Sequence, residues 1–422
     1  MYNSKKTLTM KNFQIKFKTL LFLLMVGLAI TSCSTEDVPD PDPQGNNPPI
    51  TLDCSYFEEN PNAMLQDDPE APIDYIITCV VRIDDNLTIE PGVVIAFEQD
   101  AGLNFRGESS FKMNGTAAKP ILFTGTEKTK GFWRGIYTES SNASNSMSYV
   151  TVDYAGGNEI SHGLQASLSA YGNNTPIILD NCTFSNSKNK GMYVYAAESI
   201  DKDEQNIFMT NCTFTKNDIP VQSDASRLRM YNGTNSFAGN DNDYVFLDKG
   251  NIYGDATWAK LDVPYLMKNT ENGGFHINDG ILTVEPGTDI MMTAESEMVV
   301  YQDAALIMVG TAAEPITIRG EQEVAGFWNY IYIFSESPLN EIGHVNIKHA
   351  GETTDVPNGA VLLGYSKFLN IHDVVFSDCF EYGISLDYLQ AQPLFHLEYS
   401  NLILDNTSRL FSDWYGDEVF NP

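Results

Sequence analysis

Leu87-Thr88-Ile89-Glu90-Pro91-Gly92 returns as Leu282-Thr283-Val284-Glu285-Pro286-Gly287, and the residues that follow keep step with it. Gly115-Thr116-Ala117-Ala118 with Pro120-Ile121 matches Gly310-Thr311-Ala312-Ala313 with Pro315-Ile316. Gly131-Phe132-Trp133 with Ile136-Tyr137 matches Gly326-Phe327-Trp328 with Ile331-Tyr332. Residues 87–137 therefore recur at 282–332 without a gap, and the register still holds at Ala155-Gly156 and Ala350-Gly351. A shorter echo, Asn181-Cys182-Thr183-Phe184 and Asn211-Cys212-Thr213-Phe214, has the length of a single coil.

Between the echoes lie short apolar or alternating runs, such as residues 93–97, 121–123, 149–154, 177–179 and 192–195, each bounded by Gly, Asn, Asp or Ser. No ten-residue stretch beyond residue 32 has a helical period. Strands recurring every 20 to 30 residues, with no helices for crossovers, predict an all-β fold, a parallel β-helix. Equivalent positions then stack at about 4.8 Å. Asn181 over Asn211 is expected as an asparagine ladder at a turn, and Phe184 over Phe214 as an aromatic stack inside.

The order of these motifs resembles the right-handed parallel β-helix lipoproteins of the Bacteroidetes, within the pectin-lyase-like superfold. The likeness spans about residues 76–405. Similar proteins carry Trp-x-x-Leu-x-x-Pro-Tyr ahead of each Pro-Gly motif, matched by Trp258, Leu261, Pro264 and Tyr265. Gly135 departs, being replaced by Tyr330 in the second copy, so that turn must differ in shape. The organisation expected is a signal at 1–32, a tether at 33–50, an N-terminal cap at 51–80, tandem multi-coil blocks at 81–252 and 253–405, and a C-terminal cap at 406–422. One continuous stack is favoured over two abutting helices.

Lys5, Lys6, Lys11, Lys16 and Lys18 precede an apolar run from Leu20 to Ile30, which meets Thr31-Ser32-Cys33. A run this short is a secretory signal rather than a membrane span. Its end resembles a bacterial lipobox, which implies lipidation of Cys33 and anchoring through acyl chains. Ser34-Thr35-Glu36-Asp37 resembles a surface-export signal of Bacteroidetes lipoproteins, implying the outer membrane with the protein facing outward. Residues 36–49 alternate Pro and Asp without apolar period, a stiff extended tether. The 422 residues carry 25 basic and 56 acidic side chains, a net charge of −31. Without residues 1–32, which hold five lysines and no acids, 20 basic and 56 acidic residues remain, a net −36. Such a surface repels phosphate backbones and argues against nucleic acid.

β-Helix enzymes acting on acidic polysaccharides need paired carboxylates, or basic groups with calcium, on one outward face. For hydrolysis, Ser161-His162-Gly163 is the nearest match to the histidine motif of the similar family, and Asp84-Asp85 lies too early and alone. For elimination, Arg227 and Arg229 alternate across Leu228 and are expected to share an outward face, with Lys188 and Lys190 a coil or two earlier. These four are the candidate ligand-facing residues; their ordinary reading is solvated surface charge. Asp241-Asn242-Asp243 is a candidate calcium turn whose ordinary reading is a polar turn.

His162, His276, His344, His349, His372 and His396 show no zinc spacing, so no cofactor is expected apart from that calcium. By parity with Val345 and Ile347, His349 is expected inward, as a hydrogen-bonded core residue. Trp133, Trp258, Trp328 and Trp414 have structural explanations. Cys54 and Cys79 are left open between a disulfide and two thiols, Cys182 and Cys212 read as a buried thiol ladder, and Cys379 has no obvious partner. The function expected is a monomeric, non-catalytic, lipid-anchored surface protein displaying a β-helix to carbohydrate. The alternative is a lyase or hydrolase acting on uronate-containing glycans.

Overall fold

The computed structural model describes residues 47–196, 206–248, 250–268, 274–351, 359–387 and 396–419. Short apolar runs separated by polar turns wind into the right-handed parallel β-helix of the pectin-lyase-like superfold. In the first half each coil lays one strand in each of three sheets. The first sheet runs from Ile50–Leu52 to Thr213–Thr215, the second from Met64–Leu65 to Ile207–Thr210, and the third upward from Val80–Ile83. Among the described residues the strands pair in parallel, so inward side chains stack coil upon coil; Phe184 faces Phe214 in this way. Their rings lie 5.1 Å apart and nearly parallel, and Phe237 continues the column at 5.4 Å. Trp133 and Trp328, equivalent positions of the repeat, are both wholly buried. Each indole donates to a carbonyl at equivalent places, Asp153 O and Lys348 O, at 2.8 Å.

Three successive coils turn two of their corners on left-handed residues five positions apart: Tyr149 and Tyr154, Asn181 and Asn186, Asn211 and Lys216. The later coils repeat this with His344 and His349, Asp373 and Asp378, Asn401 and Asn406. Asn and Asp tolerate this region, whereas other side chains pay roughly 1 kcal/mol. Asn181 and Asn211 are thus stacked corners, as the turn signature implied. The hydrogen-bonded asparagine ladder lies elsewhere: Asn217 Oδ1 accepts from Ser187 N, and Asn217 donates from both its amide groups to Asn240 Oδ1, all at 3.0 Å.

The third sheet contains strands from both copies of the repeat, so the chain continues one stack, but the second copy enters it turned by one side. Val94–Phe97 lies in the first sheet, while its counterpart Asp289–Met292 lies in the third. Gly135–Thr138 lies in the third sheet, while Ile331–Ser335 lies in a fourth, which runs from Gly250–Ile252 to Arg409–Asp413. The change of phase occurs where the 3-10 turn Ala225–Met230 replaces a strand. This turn packs against Ile207–Thr210 on one side and Gly250–Ile252 on the other. In Glu341–Lys348 the third sheet bends round a corner: Glu341–Gly343 pairs with Ala305–Val309 and Val345–Lys348 with Ile316–Gly320. Gly135 takes φ +110, and a Cβ there would meet Ala166 O at 2.3 Å. Tyr330 is not in the left-handed region, and its strand starts one residue later.

At the N-terminal end the helix α1, Cys54–Glu59, is capped by Asp53, which accepts from Tyr56 N, and inserts Phe57 over the last layer of the core. Cys54 and Cys79 are joined in a disulfide. Cys182, Cys212 and Cys379 are free and buried. The signal, Cys33 and most of the tether lie outside the described residues. Among the described residues, no helix is long and apolar enough to cross a membrane.

Candidate functional site

Arg227 and Arg229 do not share an outward face. The residues form a 3-10 turn with three residues per turn rather than a strand with two, so alternate positions diverge. Arg227 is wholly buried. Its guanidinium donates to Asn206 Oδ1 at 2.8 Å and to the carbonyls of Gly172 and Asn173 at 3.1 and 3.2 Å. Arg229 donates to the carbonyls of Tyr253, Gly254 and Asp255. Both cations therefore engage backbone acceptors, which corrects the expectation that they share an outward face.

The outward face of the third sheet carries a different constellation. Asn104, Tyr137, Ser169, Tyr193, Gln222 and Phe246 occupy successive rungs of one row. Six rungs span roughly 24 Å. One row further out, Tyr171 stands directly below Tyr195. Tyr137, His162, Tyr171 and Tyr195 form a file of near-parallel rings with centroids 6.1, 3.8 and 5.4 Å apart. The file ends at Tyr195, which is 39 % exposed. At its foot, His162 Nδ1 lies 2.8 Å from both the Tyr137 hydroxyl and Ser161 Oγ. Tyr137 donates to Glu139 Oε2 at 3.0 Å, and Arg106 Nη1 pairs with Glu139 Oε1 at 2.9 Å. Burial first, then the Glu139 charge, pushes the Tyr137 phenol well above its usual range, so it acts as a donor rather than a base.

Of the two candidate lysines, Lys188 is exposed in the turn between the first and third sheets, against Gly131, away from this row. Lys190 opens the strand Lys190–Tyr195 and folds its ammonium over Tyr193, 5.0 Å from the ring centre. Burial lowers its pKa, opposed by the Asp218 and Asp248 carboxylates and reinforced by Lys268. Lys268 lies over Phe246 at 5.6 Å. Asp248, raised by burial, accepts from Gln222 Nε2 at 2.8 Å. Burial also pushes Tyr193 up to about 12. Two cations, one desolvated carboxyl and an amide thus meet beside two aromatic rings.

Asp241, Asn242 and Asp243 separate their side chains. Asp241 pairs with Lys130 at 2.9 Å, Asn242 donates to Asp218, and Asp243 accepts from Asn240 N. This is a turn with its polar atoms engaged, and among the described residues no group of three or more His, Cys, Asp or Glu is placed to hold a metal ion. Asp84 pairs with Arg82, coils away from His162. His349 is buried, as expected, but it is a corner residue, and its Nδ1 has no hydrogen-bond partner among the described residues. Trp258 is wholly buried, whereas Trp414 is half-buried against Tyr332.

Tyr137, Tyr171, Tyr193, Tyr195, Asp248 and Lys268 were not singled out from the sequence. A usable signal existed: Ser169 and Tyr171 alternate with the inward Leu168 and Ala170, as Tyr193 and Tyr195 do with Met192 and Val194. Comparison with known proteins finds no family model, no curated protein and no solved structure that matches the chain.

Proposed function

We propose that this chain is a lipid-anchored surface protein whose β-helix holds glycan chains along the outward face of its third sheet without cleaving them. The file from Tyr137 to Tyr195 carries this reading. Tyr137 at its foot is buried, but His162 is exposed, Tyr171 is half-buried and Tyr195 offers an open face, while in the neighbouring row Tyr193 and Phe246 are half-buried beside Lys190 and Lys268. Aromatic bodies with polar tips suit sugar rings, which combine apolar faces with hydroxyl edges. Cys33 supplies the anchor, the Pro- and Asp-rich tether holds the domain off the outer membrane, and a single copy suffices for binding.

The full chain, titrated with acidic and neutral polysaccharides while unsaturated product and reducing ends are followed, tests this reading. Binding without turnover is expected. Failure of the Cys33→Ala variant to incorporate labelled palmitate, together with loss of membrane retention, is the expected signature of the anchor.

A second reading is favoured by Lys190. A lysine whose ammonium is destabilised by burial is a competent general base, and Lys268 stands ready to offset a uronate carboxylate. On that reading the protein is a lyase, and turnover abolished by Lys190→Ala with binding retained would establish it over the first.

A further inference from the structure

The turn of phase between the two copies has a consequence for binding. Tyr137 and Tyr332 are the same position of the repeat, yet Tyr137 faces outward from the third sheet and Tyr332 from the fourth. Arg106 and Glu139, an ion pair on adjacent rungs beside Tyr137, are replaced at the equivalent places by Tyr301 and Phe334, which pair as rungs of the fourth sheet. Around them His276, Tyr330, Tyr332 and Trp414 complete a continuous network of rings. His276 meets Tyr301 at 5.3 Å, Tyr301 meets Phe334 at 6.4 Å, and Tyr332 touches Phe334 at 5.6 Å, Trp414 at 5.8 Å and Tyr330 at 6.3 Å.

Resting on the glycan-binding reading above, we propose that the outward face of the fourth sheet is a second glycan site, on a different side of the solenoid, and that it takes a neutral stretch of sugar chain. Ring geometry is the first reason. In the file on the third sheet, parallel rings cover one another's faces. Here neighbours meet at 82° to 88° or at about 47°, so an edge touches a face and flat surfaces are left turned away from other rings. Phe334 is 38 % exposed, and the others are half-buried.

Charge is the second reason. Lys367, whose ammonium lies over one face of Phe334 at 4.7 Å from the ring centre, is already paired with Glu336 at 2.9 Å. Glu297 and Asp387 stand close enough to raise Tyr301 and Tyr332 electrostatically, after burial. An anionic chain meets the Glu297 and Asp387 carboxylates here, whereas a neutral one meets rings bearing hydroxyls, an indole and an imidazole. The third sheet differs, with Lys190 and Lys268 on its face. One molecule then holds two chains, or two stretches of one chain, and retention on a polymer gains from both contacts.

The test uses the full chain, with laminarin as neutral probe and polygalacturonate as acidic probe, measured by titration calorimetry and affinity electrophoresis. The variants are Tyr301→Ala with Phe334→Ala for the fourth sheet and Tyr195→Ala for the third, each checked for an unchanged melting midpoint. The expected result is that the fourth-sheet variant loses about tenfold in laminarin affinity and keeps its affinity for any glycan held by the third sheet. Laminarin binding unaffected by that variant, or lost through Tyr195→Ala alone, overturns the second site and leaves the first standing. Self-association abolished by the same variant assigns the patch to a second copy and also overturns it. Absence of binding to either probe by any form overturns both readings together.

Discussion

Arg227 and Arg229, two residues apart on one 3-10 turn, donate in opposite directions along the stack. Arg227 reaches the earlier loop residues Gly172 and Asn173, and Arg229 the later ones, Tyr253 to Asp255. The turn stands where a strand is missing, so loop carbonyls on either side lack ladder partners, and the two guanidinium groups supply them. The Asp224 carboxyl lies near Arg227: burial raises its pKa, and the Ser226 hydrogen bond and the Arg227 charge oppose that rise.

Arg227→Ala leaves buried carbonyls unsatisfied and is expected to cost about 2 to 4 kcal/mol. Arg229→Ala, at a more exposed place, is expected to cost about 1 to 2 kcal/mol. Denaturant titration reads both. Glycan affinity of the folded fraction should be unchanged in each, whereas a selective loss of binding at full stability would return the arginines to the ligand-facing role.

Tyr195→Ala removes the exposed end of the ring file, a side chain outside the buried core. Glycan affinity at the third sheet is expected to fall about three- to tenfold, with stability moving by less than about 0.5 kcal/mol. Tyr195→Phe should recover the stacking share and not the hydroxyl share. Calorimetry on the three forms separates them, and equal affinity for all three would remove Tyr195 from the site.

The stack itself was legible because one coil repeats nearly intact: Asn-Cys-Thr-Phe twice at a spacing of thirty fixes a corner, a buried thiol and an inward ring together. The change of side was not legible. Similarity between copies records which strand follows which, not how many strands lie between them, and that number decides the side. A single 3-10 turn at Ala225–Met230 altered it. Arg227 and Arg229 were misread for the same reason, since alternation carries meaning only inside a strand. The ring file escaped notice because Tyr137 and His162 come from different coil segments, and only stacking brings them together.

Reduction of Cys54–Cys79 reopens a loop of sequence separation 25 at the capped end of the core. By loop entropy the bridge is expected to contribute about 3 kcal/mol. Cys54→Ala with Cys79→Ala should lower the denaturation midpoint and speed proteolysis near Phe57, whose ring covers the last layer. Because a solenoid coil depends on its neighbours, the third-sheet ligand face, several coils away, should keep its affinity. Loss of both together would mean that the end cap and the site unfold as one unit.

His372 ties consecutive coils by charge. Its Nδ1 lies 2.9 Å from Asp373 Oδ2 and its Nε2 3.1 Å from Glu341 Oε1, while His344 Nε2 is 3.8 Å from the same Asp373 oxygen. Asn401, on the next coil, donates to Asp373 Oδ1. Gly343, the ladder partner of His372, makes the arrangement possible: a Cβ there would meet the imidazole Cε1 at 2.5 Å. With a carboxylate at each ring nitrogen the imidazolium is favoured, and the pKa of His372 rises, chiefly through Asp373 and against the cost of burial. A raised folded value means the stabilisation is complete below about pH 6.5, the unfolded value, and disappears as pH climbs through the folded one. Charge pairs of this partly exposed kind contribute up to about 1 kcal/mol. His372→Gln is therefore expected to destabilise the protein by about that amount at pH 6 and by nearly nothing at pH 9. Urea titrations of both forms across this range provide the check. A gap that stays constant with pH would show that the imidazole acts through packing and hydrogen bonding rather than through its charge.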